Sequence, residues 1–250
     1  MLLDKLRGAV CEANLELNRR GIVLYTWGNV SGIDRGRGLV VIKPSGIPYE
    51  EMRPEHMVVV DLDNRVVEGD LRPSSDTRTH TVLYRAFPQI GGIAHTHSVH
   101  AVAWAQARRP VPCLGTTHAD HCAGPIPCTA ALTPEEVGRD YEAETGDAIV
   151  RRFADDRLDP MAVPMVLVAG HGPFAWGPSP DEAVRNAVIL EETARMATLT
   201  TVVAGSPQPL EDYILSYHYE RKHGKDAWYG QPETPSGSSR KRPPRNRGNV

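Results

Sequence analysis

The chain has 250 residues, 40% of them hydrophobic and 24% charged, with a formal net charge of -3. Those values fit an ordinary globular protein with one sizeable core, and the slight negative charge argues against a general nucleic-acid binder. The N-terminal run Met1 to Arg7 is charged and no 18-residue apolar span occurs, so the expected setting is cytoplasmic, without a membrane partner. Four cysteines, Cys11, Cys113, Cys122 and Cys128, form no C-x-x-C pair and are read as free packing thiols.

Taken in chain order, Leu3, Leu6, Val10, Ala13 and Leu17 recur at three-to-four spacing and predict a helix over residues 2 to about 20, ended by Gly21. Three short apolar runs follow: Ile22 to Tyr25, Leu39 to Ile42 and Met57 to Val60. Each predicts a strand. Asp63-Asn64 before Val66-Val67 predicts a hairpin and hence antiparallel pairing. Ser74-Ser75-Asp76 offers a cap for a helix through Phe87, and a strand carrying His95 and His97 comes next. Val99 to Ala107 reads as helix, as does the stretch from the capping box at Thr133-Pro134-Glu135-Glu136 to about Phe153. Met165 to Ala169 predicts a buried strand, Ser179-Pro180-Asp181-Glu182 a helix through about Thr200, and residues 209–223 a last helix. Strands and helices so mixed predict a mixed sheet covered by helices on both faces. Residues 232–250 differ in kind. Proline, glycine, serine and five basic residues, Arg240, Lys241, Arg242, Arg245 and Arg247, give a tail that cannot build a core and is read as solvated and disordered.

The chemistry gathers around Gly91 to Ser98. In an extended strand residues i and i+2 project alike, so His95 and His97 can share one cation, although a lone H-x-H is a weak signal. His171, between Gly170 and Gly172, is a natural third ligand or else a turn histidine satisfied by backbone, and Asp76 a weaker fourth. His80, His100, His118 and His121 compete for the role. Three segments could hold an anion through backbone N–H groups and hydroxyls: Gly28-Asn29-Val30-Ser31-Gly32, Lys43-Pro44-Ser45-Gly46 with its lysine charge, and Ser74-Ser75 at a helix start. Each is also an ordinary turn.

Trp27-Gly28-Asn29-Val30-Ser31, Lys43-Pro44-Ser45-Gly46, Pro73-Ser74-Ser75-Asp76, His95-Thr96-His97-Ser98, Gly115-Thr116-Thr117-His118-Ala119-Asp120 and His171-Gly172-Pro173-Phe174 occur together in one order. In this the chain resembles the L-ribulose-5-phosphate 4-epimerases, within the class II sugar-phosphate aldolases, over residues 1 to about 231. The resemblance implies an α/β fold, three-layer α/β/α with a mixed, mostly antiparallel central sheet, as one domain over 1–231 followed by the tail. It also implies a homotetramer of fourfold symmetry with active sites at subunit interfaces and a small sugar phosphate as partner. Asp76, His95, His97 and His171 match the family's metal positions, usually one Zn2+ per subunit, with Mn2+ or Co2+ as alternatives. Gly28, Asn29, Ser45, Gly46, Ser74 and Ser75 match its substrate and phosphate contacts, beside Lys43. Asp120 and Tyr229 match its acid/base pair, expected to meet from different chains, and His218 a further residue supplied by a neighbouring subunit. Reference pKa values of about 3.9 and 10 lead one to expect the site to shift both groups towards neutrality. Trp228 stands where a second tyrosine is expected. The implied reaction is C4 epimerisation of L-ribulose 5-phosphate by retro-aldol chemistry. Its rivals are L-fuculose-1-phosphate-type aldol cleavage, L-xylulose 5-phosphate epimerisation and an adducin-like non-catalytic module. Asp76, where the aldolases carry glutamate, favours the epimerase.

Overall fold

A computed structural model of the protein describes residues 1–229. Gly230, Gln231 and the basic tail expected over 232–250 lie outside the described residues. The elements are α1 (Asp4–Arg19), β1 (Asn29–Asp34), β2 (Leu39–Ile42), β3 (Val58–Asp61), β4 (Val66–Glu68), α2 (Thr77–Ala86), β5 (Gly92–His95), α3 (Val99–Gln106), α4 (Thr116–Ala119), α5 (Pro134–Asp155), β6 (Met165–Leu167), β7 (Pro173–Gly177), α6 (Pro180–Ala204) and α7 (Asp212–His223).

The seven strands make one sheet in the order β4-β3-β2-β1-β5-β7-β6. Every pairing between these strands is antiparallel, in keeping with the mostly antiparallel sheet expected, and an isolated bridge between Cys128 and Leu167 is parallel. The β3–β4 hairpin turns at Asn64, whose φ of 66° suits asparagine.

Alternation sorts the central strands into two faces. Gly32, Gly92, Ala94, Ala175 and Gly177 share one, and α1 and α6 cover it. The smallness of these residues decides how close α6 comes. A Cβ on Gly92 would lie 2.4 Å from the Pro180 backbone nitrogen, and one on Gly177 2.7 Å from Glu182 Cβ. On the other face lie Asn29, Ser31, Ile93, His95, Phe174 and Trp176, met by α2 and α5 through Tyr84, His80, Phe87 and Phe153. Helices thus cover both faces, giving the three-layer α/β/α arrangement that was expected.

Several sequence expectations need correction. Ile22 to Tyr25 forms no strand. Ile22 and Val23 are buried, so that run is apolar because it crosses the core on its way from α1 to β1. Two strands, β1 and β7, went unread: β1 was taken for an anion loop, and Pro173–Gly177 was assigned no element. Glycines and a proline mask both, and each is buried on both faces, which removes the alternation that marks a strand. His97 lies just past the end of β5 rather than within it. Asp76 occupies the N-cap position of α2 without a side-chain cap bond. Thr77 Oγ1 instead donates to the Ser74 carbonyl at 2.5 Å, leaving the Asp76 carboxylate for other partners. The capping box at Thr133 is complete, and Ser179 accepts from the Glu182 amide. Among the described residues, no helix is long and apolar enough to cross a membrane.

Candidate metal and phosphate site

His95 closes β5 opposite Phe174 of β7, and the two rings stack with centroids 4.2 Å apart and planes at 19°. Its Nδ1 donates to the Pro173 carbonyl at 2.9 Å, which fixes the tautomer and leaves Nε2 as the free lone pair. The chain then turns so that His97 Nε2 comes to 3.1 Å from His95 Nε2. A tetrahedral zinc with bonds of about 2.0–2.1 Å needs its nitrogens about 3.3 Å apart, so the spacing is that of two ligands on one ion. His171, carried by the turn between β6 and β7, offers the third nitrogen. Ligand atoms of the three residues all lie within 4.8 Å of one another. Burial pulls the His171 pKa down to about 4, and the neighbouring His95 and His97 add to the fall while Asp76 opposes it. His97 is lowered likewise, first by burial and then by His95. Neutral imidazoles are what a divalent cation requires. The residues present fit one.

Asp76 stands outside that trio but borders the same cavity. Burial opposes its charge, yet His95, His80, a 2.7 Å bond from Asn29 Nδ2 and His171 outweigh it and hold its pKa below the usual carboxylate range. Asn29 Nδ2 also donates to Ser74 Oγ at 3.0 Å, so one amide ties β1 to the start of α2. Gly28, with φ of 74°, lets the chain pass over β5, where a Cβ would lie 2.8 Å from the His95 carbonyl oxygen.

A cavity of about 470 Å³ is lined by Thr26, Trp27, Gly28, Asn29, Lys43, Pro44, Ser45, Gly46, Ser74, Ser75, Asp76, His97, Tyr141, Glu142 and His171. All seven residues expected to contact substrate or phosphate therefore meet beside the histidines. Lys43 is buried, donates to the Thr26 carbonyl at 3.1 Å, and has its pKa lowered to about 8 by burial against the pull of Asp76. Of the competing histidines, His80 bonds Ser31 Oγ through Nδ1, His100 bonds Glu191, and His118 bonds the Gly124 carbonyl. His121 borders two other clefts.

Asp120, His218 and Tyr229 line no part of this cavity. They gather elsewhere on the chain, around Arg221. Asp120 accepts from His218 Nδ1 at 3.0 Å, from Arg221 Nη2 at 2.8 Å and from Lys222 Nζ at 3.3 Å. Tyr229 lies with its ring centroid 4.8 Å from the Arg221 guanidinium and 4.4 Å from Lys222 Nζ. Asp120 and Tyr229 thus come together within one chain, where separate chains were expected. The expected shift of Asp120 is also reversed. Burial opposes its charge, but Arg221, His218 and Lys222 bring its pKa to about 2, away from neutrality.

The family model described as class II aldolase and adducin N-terminal domain matches residues 8–198. The chain belongs to this family. Its curated relatives include L-ribulose-5-phosphate 4-epimerase UlaF of Salmonella paratyphi B (strain ATCC BAA-1250 / SPB7), 53% identical over 229 residues, which are 92% of this chain and 100% of that protein. The enzyme of the same name from Salmonella typhi matches with the same identity and coverage. Among solved structures, an L-fuculose 1-phosphate aldolase superposes with a TM-score of 0.73 at 25% identity, over 87% of this chain and 95% of that one. The L-fuculose 1-phosphate aldolase from Glaciozyma antarctica PI12, at 16% identity and a TM-score of 0.69 over 87% and 81% of the two chains, shares the fold.

In this class II aldolase-family chain the structure adds residues that sequence reasoning passed over. Tyr141 and Glu142 reach the cavity because α5 breaks at Asp140, whose φ of -168° and ψ of 90° leave the helix for one residue. Asp140 Oδ1 accepts from the Ala143 amide at 3.2 Å and so caps the second segment, while its Oδ2 pairs with Arg78. Trp27 packs at the mouth, its ring 6.3 Å from that of His97. Asp140, an N-cap residue type two positions after Gly138, was the local signal for the break, and the capping box with Pro134 at the helix start overshadowed it.

Proposed function

We propose that the chain is a metal-dependent L-ribulose-5-phosphate 4-epimerase, interconverting L-ribulose 5-phosphate and D-xylulose 5-phosphate. The observation that carries this reading is the 53% identity over 92% of the chain to proteins named as that epimerase. Support comes from a cavity in which three imidazoles adjoin hydroxyls, backbone amides and a buried lysine. The same likeness favours epimerase over aldolase and over a non-catalytic head module, because the nearer resemblance in sequence is to epimerases.

The C4 hydrogen of a ketopentose phosphate has no adjacent carbonyl, so its removal would leave an unstabilised carbanion. Breaking the C3–C4 bond avoids this. Cleavage gives the enediolate of dihydroxyacetone and glycolaldehyde phosphate; the aldehyde turns and the bond reforms on its other face. His95, His97 and His171, with Asp76 beside them, would hold the cation, Zn2+ in the family's usual form. Bound there, the cation supplies Lewis-acid stabilisation of the negative charge that develops on the C2 and C3 oxygens. Asn29, Ser45, Gly46, Ser74, Ser75 and Lys43 grip the phosphate and keep the aldehyde bound while it turns. Asp120, ionised at neutral pH, accepts the C4 hydroxyl proton of one epimer, and Tyr229 returns a proton to the oxygen on the opposite face. In the reverse direction the roles exchange. His218 orients Asp120.

Because the acid/base cluster lies apart from the histidines of its own chain, it serves the cavity of a neighbouring copy in a cytoplasmic homotetramer. Purified enzyme given L-ribulose 5-phosphate should yield D-xylulose 5-phosphate without free glycolaldehyde phosphate. Release of the aldehyde as the main product, or turnover of L-fuculose 1-phosphate at a higher kcat/KM, would make it an aldolase instead.

A further inference from the structure

We infer that Arg221 is the positioning residue that makes Asp120 and Tyr229 one proton-transfer unit, an inference that rests on the epimerase reading above. Its guanidinium makes three bonds to one carboxylate: Nε to Asp120 Oδ1 at 3.1 Å, and Nη2 to Oδ1 and to Oδ2 at 2.8 Å each. The face of the same group lies against the Tyr229 ring. Its backbone carbonyl accepts from the amides of Trp228 and Tyr229, both at 3.1 Å, and so sets the path of the segment that follows α7. One residue thereby fixes the direction of the carboxylate, the seat of the phenol ring and the course of the chain between them.

The environment sets Arg221 apart from a surface ion pair. The side chains of Asp120 and Arg221 are 13% and 18% exposed, where an open pair would be worth little. Asp120 lies just beyond the one-turn α4, too short to hold an aspartate rigidly. It takes its orientation from α7, roughly a hundred residues on. Lys222 reaches the same carboxylate at 3.3 Å as a point charge, without the planar fork that fixes direction. Two groups that work on opposite faces of one small aldehyde need a fixed separation. A misplacement of about 1 Å in such a pair costs about a hundredfold in rate.

The test compares wild type, Arg221→Lys and Arg221→Met as purified assemblies with metal bound. Each is assayed for L-ribulose 5-phosphate epimerisation, metal content and subunit assembly, alone and combined with Asp120→Asn. Arg221→Met should lose about 10- to 100-fold in kcat while KM and metal content stay within about twofold, and Arg221→Lys should lose less because it keeps the charge. In the Asp120→Asn background, Arg221→Met should cost little more, since the residue it positions is already disabled. Arg221 variants with wild-type kcat would overturn the inference while leaving the epimerase reading intact. So would losses that multiply in the double variant or follow a loss of assembly, which mark a merely structural role. Wild-type protein without epimerase turnover would overturn the function reading, and this inference with it.

Discussion

His95 is held from two sides, by the Phe174 ring and by the Pro173 carbonyl on Nδ1, so its free nitrogen has one direction in which to point. His97 is exposed at the cavity mouth and owes its place to the turn after β5. Replacing His97 with Gln should lower metal affinity and turnover by about 100-fold or more, since even outer partners of metal ligands cost about 10- to 100-fold. Stoichiometric tight metal in that variant, measured by elemental analysis after dialysis, would remove His97 from the site. His118 makes a different prediction. Burial pulls its pKa down to about 4, against the raising effect of its bond to Gly124. The folded protein thus refuses a proton that the unfolded chain takes up below about 6.5, so the contribution is intact above that pH and is lost as pH falls towards about 4, by up to about 1.4 kcal/mol per pH unit. Urea midpoints at pH 7 and pH 5 should therefore differ less in His118→Gln than in wild type; an unchanged difference contradicts the assignment. The three clustered histidines were legible in sequence because two stand two residues apart and the third is flanked by glycines. Glu142 and Arg221 were not, because a helix break and a hundred-residue loop closure bring them to their places.

α6 lies against the sheet because glycine and alanine line the face it covers. At Gly92 the obstacle to a side chain is backbone, with the Ser179 carbonyl carbon 2.5 Å from an added Cβ, so Gly92→Ala must push α6 outward. The expected cost is about 3 kcal/mol, the upper part of the usual range for overpacking, read from the urea midpoint. Thr133→Ala removes the cap of α5 far from any such contact and should cost about 1 kcal/mol. Equal losses for the two would contradict the close approach as the source of the first. At this scale the helices were the more legible part. α1, α5 and α6 announce themselves by periodicity and by caps at Thr133 and Ser179, because such signals are local. β1 and β7 had none: strands buried on both faces lose alternation, and Gly32, Gly177 and Pro173 interrupt the β-branched runs by which a strand is recognised.

The molecule divides its proposed chemistry between two places, the cavity with its histidines and the cluster around Arg221, and a single copy does not bring them together. Exposed Trp27 and Val99 near the histidines, and exposed Leu199, Val202, Val203 and Tyr217 on α6 and α7, leave apolar surface that the neighbouring copies of the proposed homotetramer would cover. Subunit mixing tests the division. His97→Gln mixed with Tyr229→Phe should regain activity, since each copy keeps the half that the other lacks. Asp120→Asn mixed with Tyr229→Phe should regain none, because both losses fall in the same cluster of one chain. Recovery in the second mixture, or none in the first, would contradict the division. The most direct test of the central claim is epimerisation of L-ribulose 5-phosphate before and after metal removal. Turnover should vanish when a chelator strips the protein and return on adding one equivalent of Zn2+ per subunit; full turnover in protein shown free of metal would contradict the account.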